Sequence, residues 1–153
     1  MAGNTFRTAP QPGGNGAQRN GTVAWSDPDE VFSVYFHVDR PASLHLAINA
    51  AVRDGSSTIQ TRVGKDTFKT DLTGTETATR EIGSIKIAEA GYVRVDLQGD
   101  ARTGDVYAEI RDLVISSDTD GLKLDYVKTN DGNMFYWGRR DRRCTCGTKC
   151  RET

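Results

Sequence analysis

The chain has only two histidines, His37 and His45, and each sits in a run where apolar and polar residues alternate. In Val31–Val38, Phe32, Val34, Phe36 and Val38 take one face, and Ser33, Tyr35 and His37 take the other. In residues 43–52, Leu44, Leu46, Ile48, Ala50 and Val52 point inward, leaving His45 and Asn49 outward. Asp39-Arg40-Pro41-Ala42 joins the runs and predicts a hairpin with Phe36 facing Leu46 and Val38 facing Leu44. That register sets His37 opposite His45, Tyr35 opposite Ala47 and Ser33 opposite Asn49. Tyr35, His37, His45 and Asn49 would then share a face able to hold a polyol by ring stacking and hydrogen bonds. The plain alternative is a solvated sheet face, or one covered by a neighbouring domain. Two imidazoles without a third ligand are a weak metal signal.

A second candidate lies in Met134-Phe135-Tyr136-Trp137-Gly138-Arg139-Arg140, the densest aromatic stretch. Tyr136, Trp137 and Arg139 combine flat rings with a guanidinium, as carbohydrate and carboxylate sites do; the alternative is a strand that packs on whatever follows. Trp25 is expected to cap an edge of the core. Ser117-Asp118-Thr119-Asp120-Gly121 offers two carboxylates, Asp118 and Asp120, as weak calcium ligands. It lacks the remaining spaced ligands and terminal Glu of a hand-type loop and reads first as a polar turn. Asn130-Asp131-Gly132-Asn133 likewise reads as a tight turn. No cofactor is called for. Asp96, Asp105, Glu109 and Asp112 fall near strand ends, where paired carboxylates could hydrolyse a glycoside. With 21 acidic residues in the chain, such spacing carries little weight. The nucleophile-elbow, zinc-protease and phosphate-loop motifs are missing, so the expectation is a protein that is not an enzyme.

The elements that must carry these residues are short strands. After the first two runs, strand-like segments follow at 57–63, 67–72, 77–82, 84–87, 92–97 and 106–115, punctuated by glycines, with 122–127 and 134–137 closing the series. Residues 81–90 could be argued as a helix, but Gly83 and the β-branched Ile82, Ile85 and Ile87 favour strand. Eight to ten short strands bury most economically as two packed sheets. The expected fold is therefore an all-β, jelly-roll-like antiparallel β-sandwich. At 153 residues the chain suits one domain with a substantial core. Twenty Lys and Arg balance 21 Asp and Glu, so no sequence-wide field favours nucleic acid. No apolar stretch approaches the ~18 residues of a spanning helix, so no membrane insertion is expected.

The organisation expected is a weakly ordered Gly/Pro/Asn-rich segment over 1–24, a sandwich module over 25–140, and a tail over 141–153. The opening residues lack the apolar core of a signal peptide. Cys144, Cys146 and Cys150 all lie in the tail. Three thiolates without a fourth ligand fall short of a closed zinc site, and a disulfide leaves one thiol over. A third reading comes from codons. Residues 141–153 can be encoded so that the same bases, read two positions later, give Pro-Ser-Val-His-Leu-Arg-Tyr-Lys-Val-Pro-Arg-Asp, which alternates as a strand should. One guanine missing near Arg140 would put the tail out of frame; an intact run in independent gene sequences would exclude this.

Val31–Val38, Ser43-Leu44-His45-Leu46-Ala47-Ile48, Ala90-Gly91-Tyr92-Val93-Arg94-Val95-Asp96-Leu97-Gln98-Gly99, Arg102-Thr103-Gly104-Asp105 and Phe135-Tyr136-Trp137-Gly138-Arg139-Arg140 together resemble a family of β-sandwich domains known as domain of unknown function 5077. The resemblance covers roughly residues 3–140. It implies a module placed ahead of a second domain, of unknown function 3472, in larger and often exported proteins. In those proteins Tyr-Trp-Gly-Arg-Arg runs on into Gly-Pro-Ser-Val-His-Leu; this chain departs at Asp141, and the shifted frame restores Pro-Ser-Val-His-Leu. The resemblance thus implies C-terminal truncation with loss of the downstream domain, and an extracellular or cell-envelope location for the full-length protein. It supplies no catalytic residues. The leading expectation is a non-catalytic accessory module whose partner is a glycan or the adjacent C-terminal domain. The alternatives are a purely structural domain packing on that neighbour, or part of a glycoside hydrolase.

Overall fold

Burial alternates along Ala42–Ala51 almost without a break: Ala42, Leu44, Leu46, Ile48 and Ala50 are buried while Ser43, His45, Ala47 and Asn49 are not. Side chains of an extended chain point to opposite faces in turn, so this strand buries one face and wets the other. The computed structural model describes residues 5–7, 17–18, 21–22 and 25–126. Among the described residues the strands are β1 (Thr5–Arg7), β2 (Ala17–Gln18), β3 (Gly21–Thr22), β4 (Val31–Val38), β5 (Ala42–Ala51), β6 (Ser56–Val63), β7 (Asp66–Thr73), β8 (Ala78–Ile87), β9 (Gly91–Arg102), β10 (Glu109–Ser117) and β11 (Leu124–Tyr126).

They form two antiparallel sheets and a small β2–β3 pair. The larger sheet runs β1-β4-β9-β6-β7, with β11 beside β1 on the same edge of β4. The smaller runs β10-β5-β8. Their apolar faces meet in one core that includes Trp25, Phe32, Phe36, Leu46, Ile48, Ile59, Leu97 and Ile110, all fully buried. The all-β sandwich expected from the alternation is the fold observed.

The expected hairpin is not. β4 pairs with β9, and β5 pairs with β8 and β10, so residues 39–41 carry the chain from one sheet to the other. Phe36 and Leu46 still both face the core, but from opposite walls. Alternation reports which side of a strand is apolar and is silent about which strand lies at its edge. Two apolar strand faces can be buried edge to edge in one sheet, or face to face across a sandwich, and only the second covers both. His37 and His45 consequently point away from each other, on the two outer surfaces.

Asp39 fastens this crossing. Its carboxylate accepts hydrogen bonds from Arg40 at 2.9 Å and from the Lys123 backbone N–H at 3.0 Å, just ahead of β11. The Arg40 bond first, then the Lys123 amide, lower its pKa from 3.8 to about 2. A depressed carboxylate pKa means that its contribution to stability is complete above 3.8 and is lost as the pH falls through about 2. The Lys123 amide NMR shift should therefore titrate with an inflection near 2, and Asp39→Asn should flatten that curve. A flat wild-type curve would refute the clip.

The segments expected at 77–82 and 84–87 are one strand, β8, kinked by a bulge. Leu46 pairs with Gly83 and Ala47 with Glu81, leaving Ile82 as the extra residue. Gly83 has φ of 153°, and a Cβ there would meet the Phe68 ring at 2.6 Å. Phe68 of β7 thus lies on bare backbone where the edges of the two sheets approach. Gly83→Ala should cost about 2 kcal/mol in urea unfolding, the range of overpacking combined with backbone strain. A neutral result would mean that the ring moves aside freely. The segment expected as a strand from 106 begins only at Glu109, because Val106, Tyr107 and Ala108 are buried in irregular backbone.

Candidate ligand-binding site

The outer surface of the larger sheet is built by strict alternation on its two central strands. Tyr92, Arg94, Asp96 and Gln98 of β9 project outward between the core residues Val93, Val95 and Leu97. The β4–β9 register sets His37 opposite Tyr92, Tyr35 opposite Arg94 and Ser33 opposite Asp96. His37 and Tyr92 meet edge to face, with ring centroids 5.0 Å apart and planes at 72°. The Arg94 guanidinium carbon lies 6.0 Å from the centre of the Tyr35 ring, within reach of cation–π attraction. Arg94 Nε donates to Asp96 Oδ1 at 2.7 Å, and Ser33 Oγ donates to the same oxygen at 2.6 Å. The Asp96 carboxylate raises the pKa of Arg94, chiefly through that hydrogen bond. Tyr92 is 71% exposed, the most open large hydrophobic side chain among the described residues.

Beside this row the sheet is notched. β6 pairs with β9 only as far as Val63 opposite Val95, so Tyr92–Arg94 have no described strand partner on that side. The β6–β7 turn at Gly64-Lys65 stops there, and the end of β8 comes across from the other sheet. Together they frame an open groove of about 850 Å³. Arg62, Lys65 and Asp66 line it from the β6–β7 hairpin, Ile85, Lys86 and Ile87 from β8, and Tyr92, Arg94 and Asp96 from β9. An exposed ring beside a groove rich in donors can stack on the face of a pyranose and bond its hydroxyls.

The four residues expected to share one face divide into two pairs. Tyr35 and His37 lie on this outer surface. His45 and Asn49 lie on the outer surface of the smaller sheet, the consequence of β5 belonging to the opposite wall. There His45 bonds Ser84 Oγ through Nδ1 and the Asp118 carboxylate through Nε2, each at 2.8 Å. Asn49 accepts from Thr79 Oγ1 at 2.7 Å and donates to Asp112 at 3.4 Å. Asn49 thus ties β5 to the strands on either side of it, and His45 ties it to β8 and to the residue that follows β10. Asp118, considered as a calcium ligand with Asp120, is the partner of His45, and among the described residues no group of three or more His, Cys, Asp or Glu is placed to hold a metal ion. Of the carboxylates weighed for glycoside hydrolysis, Asp96 lies on the larger sheet, and Glu109 and Asp112 lie on β10, bonded to Arg53 and Asn49. Tyr136, Trp137, Arg139 and the three cysteines lie outside the described residues.

Tyr92, Arg94 and Arg62 were not among the expected site residues. The signal was present in Gly91–Gln98, where strict alternation already makes Tyr92 and Arg94 outward-facing. What it could not give was β9 as the neighbour of β4.

The profile of one protein family matches residues 1–120, that of Domain of unknown function (DUF5077). The chain belongs to the DUF5077 family. No curated protein matches it in sequence. Among solved structures, the DUF5077 domain is similar to a GH26-CBM35 β-(1,4)-mannanase of Podospora anserina. The TM-score is 0.59 at 12% identity, over 78% of this chain and 26% of that one, so the domain spans about a quarter of the mannanase. It is also similar to the CBM35 of Cellvibrio japonicus Abf62, with a TM-score of 0.54 at 13% identity, over 67% of this chain and 75% of that one. A third similar structure is a Xyl-CBM35 in complex with a disaccharide containing glucuronic acid, with a TM-score of 0.52 at 13% identity, over 71% and 77% of the two chains. At such identities the likeness is one of fold: the DUF5077 domain is a two-sheet antiparallel sandwich like the CBM35 jelly-roll modules.

Proposed function

We propose that this DUF5077 domain is a non-catalytic accessory module that binds carbohydrate on the outer surface of its larger sheet, within a larger exported protein. Tyr92 is the platform, braced edge-on by His37 and flanked by the Tyr35–Arg94 pair. The observation that carries this reading is the 71% exposure of Tyr92 at the lip of the groove, since an aromatic ring left open to water beside convergent polar groups is matched to an amphipathic ligand. The sandwich shared with CBM35 modules, one of them solved with a bound disaccharide, supports the reading by fold. Affinity electrophoresis and calorimetry against plant, fungal and bacterial polysaccharides test it. Retardation on at least one glycan, lost in Tyr92→Ala, is the expected result. No retardation on any of them, with the domain folded, would overturn it.

A further inference from the structure

We infer that the groove beside Tyr92 selects sugars that carry a carboxylate over their neutral counterparts, an inference that rests on the reading of this surface as a glycan site. Four cations line the groove, Arg62, Lys65, Lys86 and Arg94, against two carboxylates, Asp66 and Asp96. Arg94 and Asp96 satisfy one another, and Ser33 takes a further share of the Asp96 carboxylate. The remaining cations are not neutralised in this way. Arg62 bonds only the amide oxygens of Gln60 and Gln98, at 2.7 and 3.3 Å, and Lys65 and Lys86 make no ion pair among the described residues. Elsewhere on the surface Arg40, Arg53, Lys69 and Lys123 each sit against a carboxylate, and Arg80 and Arg102 bond backbone carbonyls.

The excess positive charge is local, because the chain as a whole carries a net charge of -1. Its sources are apart in sequence, on the β6–β7 hairpin and the end of β8, so only the folded sandwich concentrates them. Hydrogen bonds from a cation to a carboxylate are about twice as strong as those between neutral groups, and a groove of one sign raises the local concentration of the opposite ion. Asp66, left without an ion pair among the described residues, offsets one of the three open cations, and the net positive charge that remains suits an anionic group on the sugar.

The test compares a glucuronate-bearing disaccharide with its neutral glucose counterpart, its methyl ester and an O-sulfated analogue, by calorimetry. The acid should bind about tenfold or more tightly than the neutral sugar, and the advantage should vanish on esterification and shrink as salt rises. The exposed pair Lys65→Gln with Lys86→Gln should bring the acid-to-neutral ratio close to one while the thermal midpoint holds. Equal binding of acid and neutral sugars would overturn the selectivity and leave the glycan site standing. Tighter binding of the sulfated analogue would replace carboxylate selection by general anion capture, also overturning it. No binding of any sugar would overturn the glycan site and the selectivity together.

Discussion

Trp25→Ala is expected to lower the unfolding free energy by about 3–5 kcal/mol, the range for deleting a fully buried aromatic side chain. Trp25 is 0% exposed and stands edge-on to Phe32 of β4 at 5.0 Å, with its ring plane tilted 49° from that of Tyr107 at 5.5 Å. Its carbonyl accepts the Tyr107 N–H at 2.7 Å, and its indole N–H reaches the Asp27 carbonyl at 3.2 Å. The side chain therefore ties the larger sheet to the irregular segment that feeds β10. Truncation leaves a cavity between elements that cannot collapse independently, since Phe32 is held by β4 and Tyr107 by the irregular segment ahead of β10. Against a total stability of roughly 5–15 kcal/mol, the loss is about a fifth or more. Urea unfolding would show it, with the thermal midpoint down by roughly 10 °C. Trp25→Phe should recover part of the loss by refilling most of the volume. A change below about 1 kcal/mol in Trp25→Ala would mean that Trp25 caps an edge without closing the core.

Tyr92→Ala is expected to weaken glycan binding by about 30-fold while leaving the thermal midpoint within a degree or two. An exposed aromatic that anchors a ligand typically contributes about 2 kcal/mol, which converts to that ratio. Stability is spared because the side chain is 71% exposed and its backbone pairing with His37 persists in the variant. Tyr92→Phe should retain most of the affinity if stacking dominates, and lose it if the hydroxyl is the main contact. His37→Ala should give a smaller loss, because His37 braces the ring from the side at 5.0 Å. Calorimetry beside a melting curve separates these outcomes. A Tyr92→Ala protein that binds as tightly as wild type would place the site elsewhere on the module.

The alternation in 31–38, 43–52 and 91–98 determined that these are strands and which of their side chains enter the core. The reason is local: an extended chain turns each side chain over relative to the last, so the apolar parity can be read without knowing any neighbour. From that parity followed the two-layer architecture, since so many one-faced strands need a second sheet to cover them. The outward direction of Tyr35, His37, His45, Asn49, Tyr92 and Arg94 was legible for the same reason.

Which sheet each strand joins was decided only by the tertiary structure. Pairing at a strand edge is a contest among all the strands of the chain. β4 found β9, some sixty residues later, in preference to β5 across a three-residue link. That choice sent His37 and His45 to opposite surfaces, gave Tyr35 an arginine for a neighbour, and brought Arg62, Lys86 and Arg94 to one groove from three separate strands. Hydrogen-bonded edges are alike in every strand and carry no signature in residue type, whereas buried faces do. The sequence therefore disclosed the layers of the sandwich, and the fold alone assembled the site on its surface.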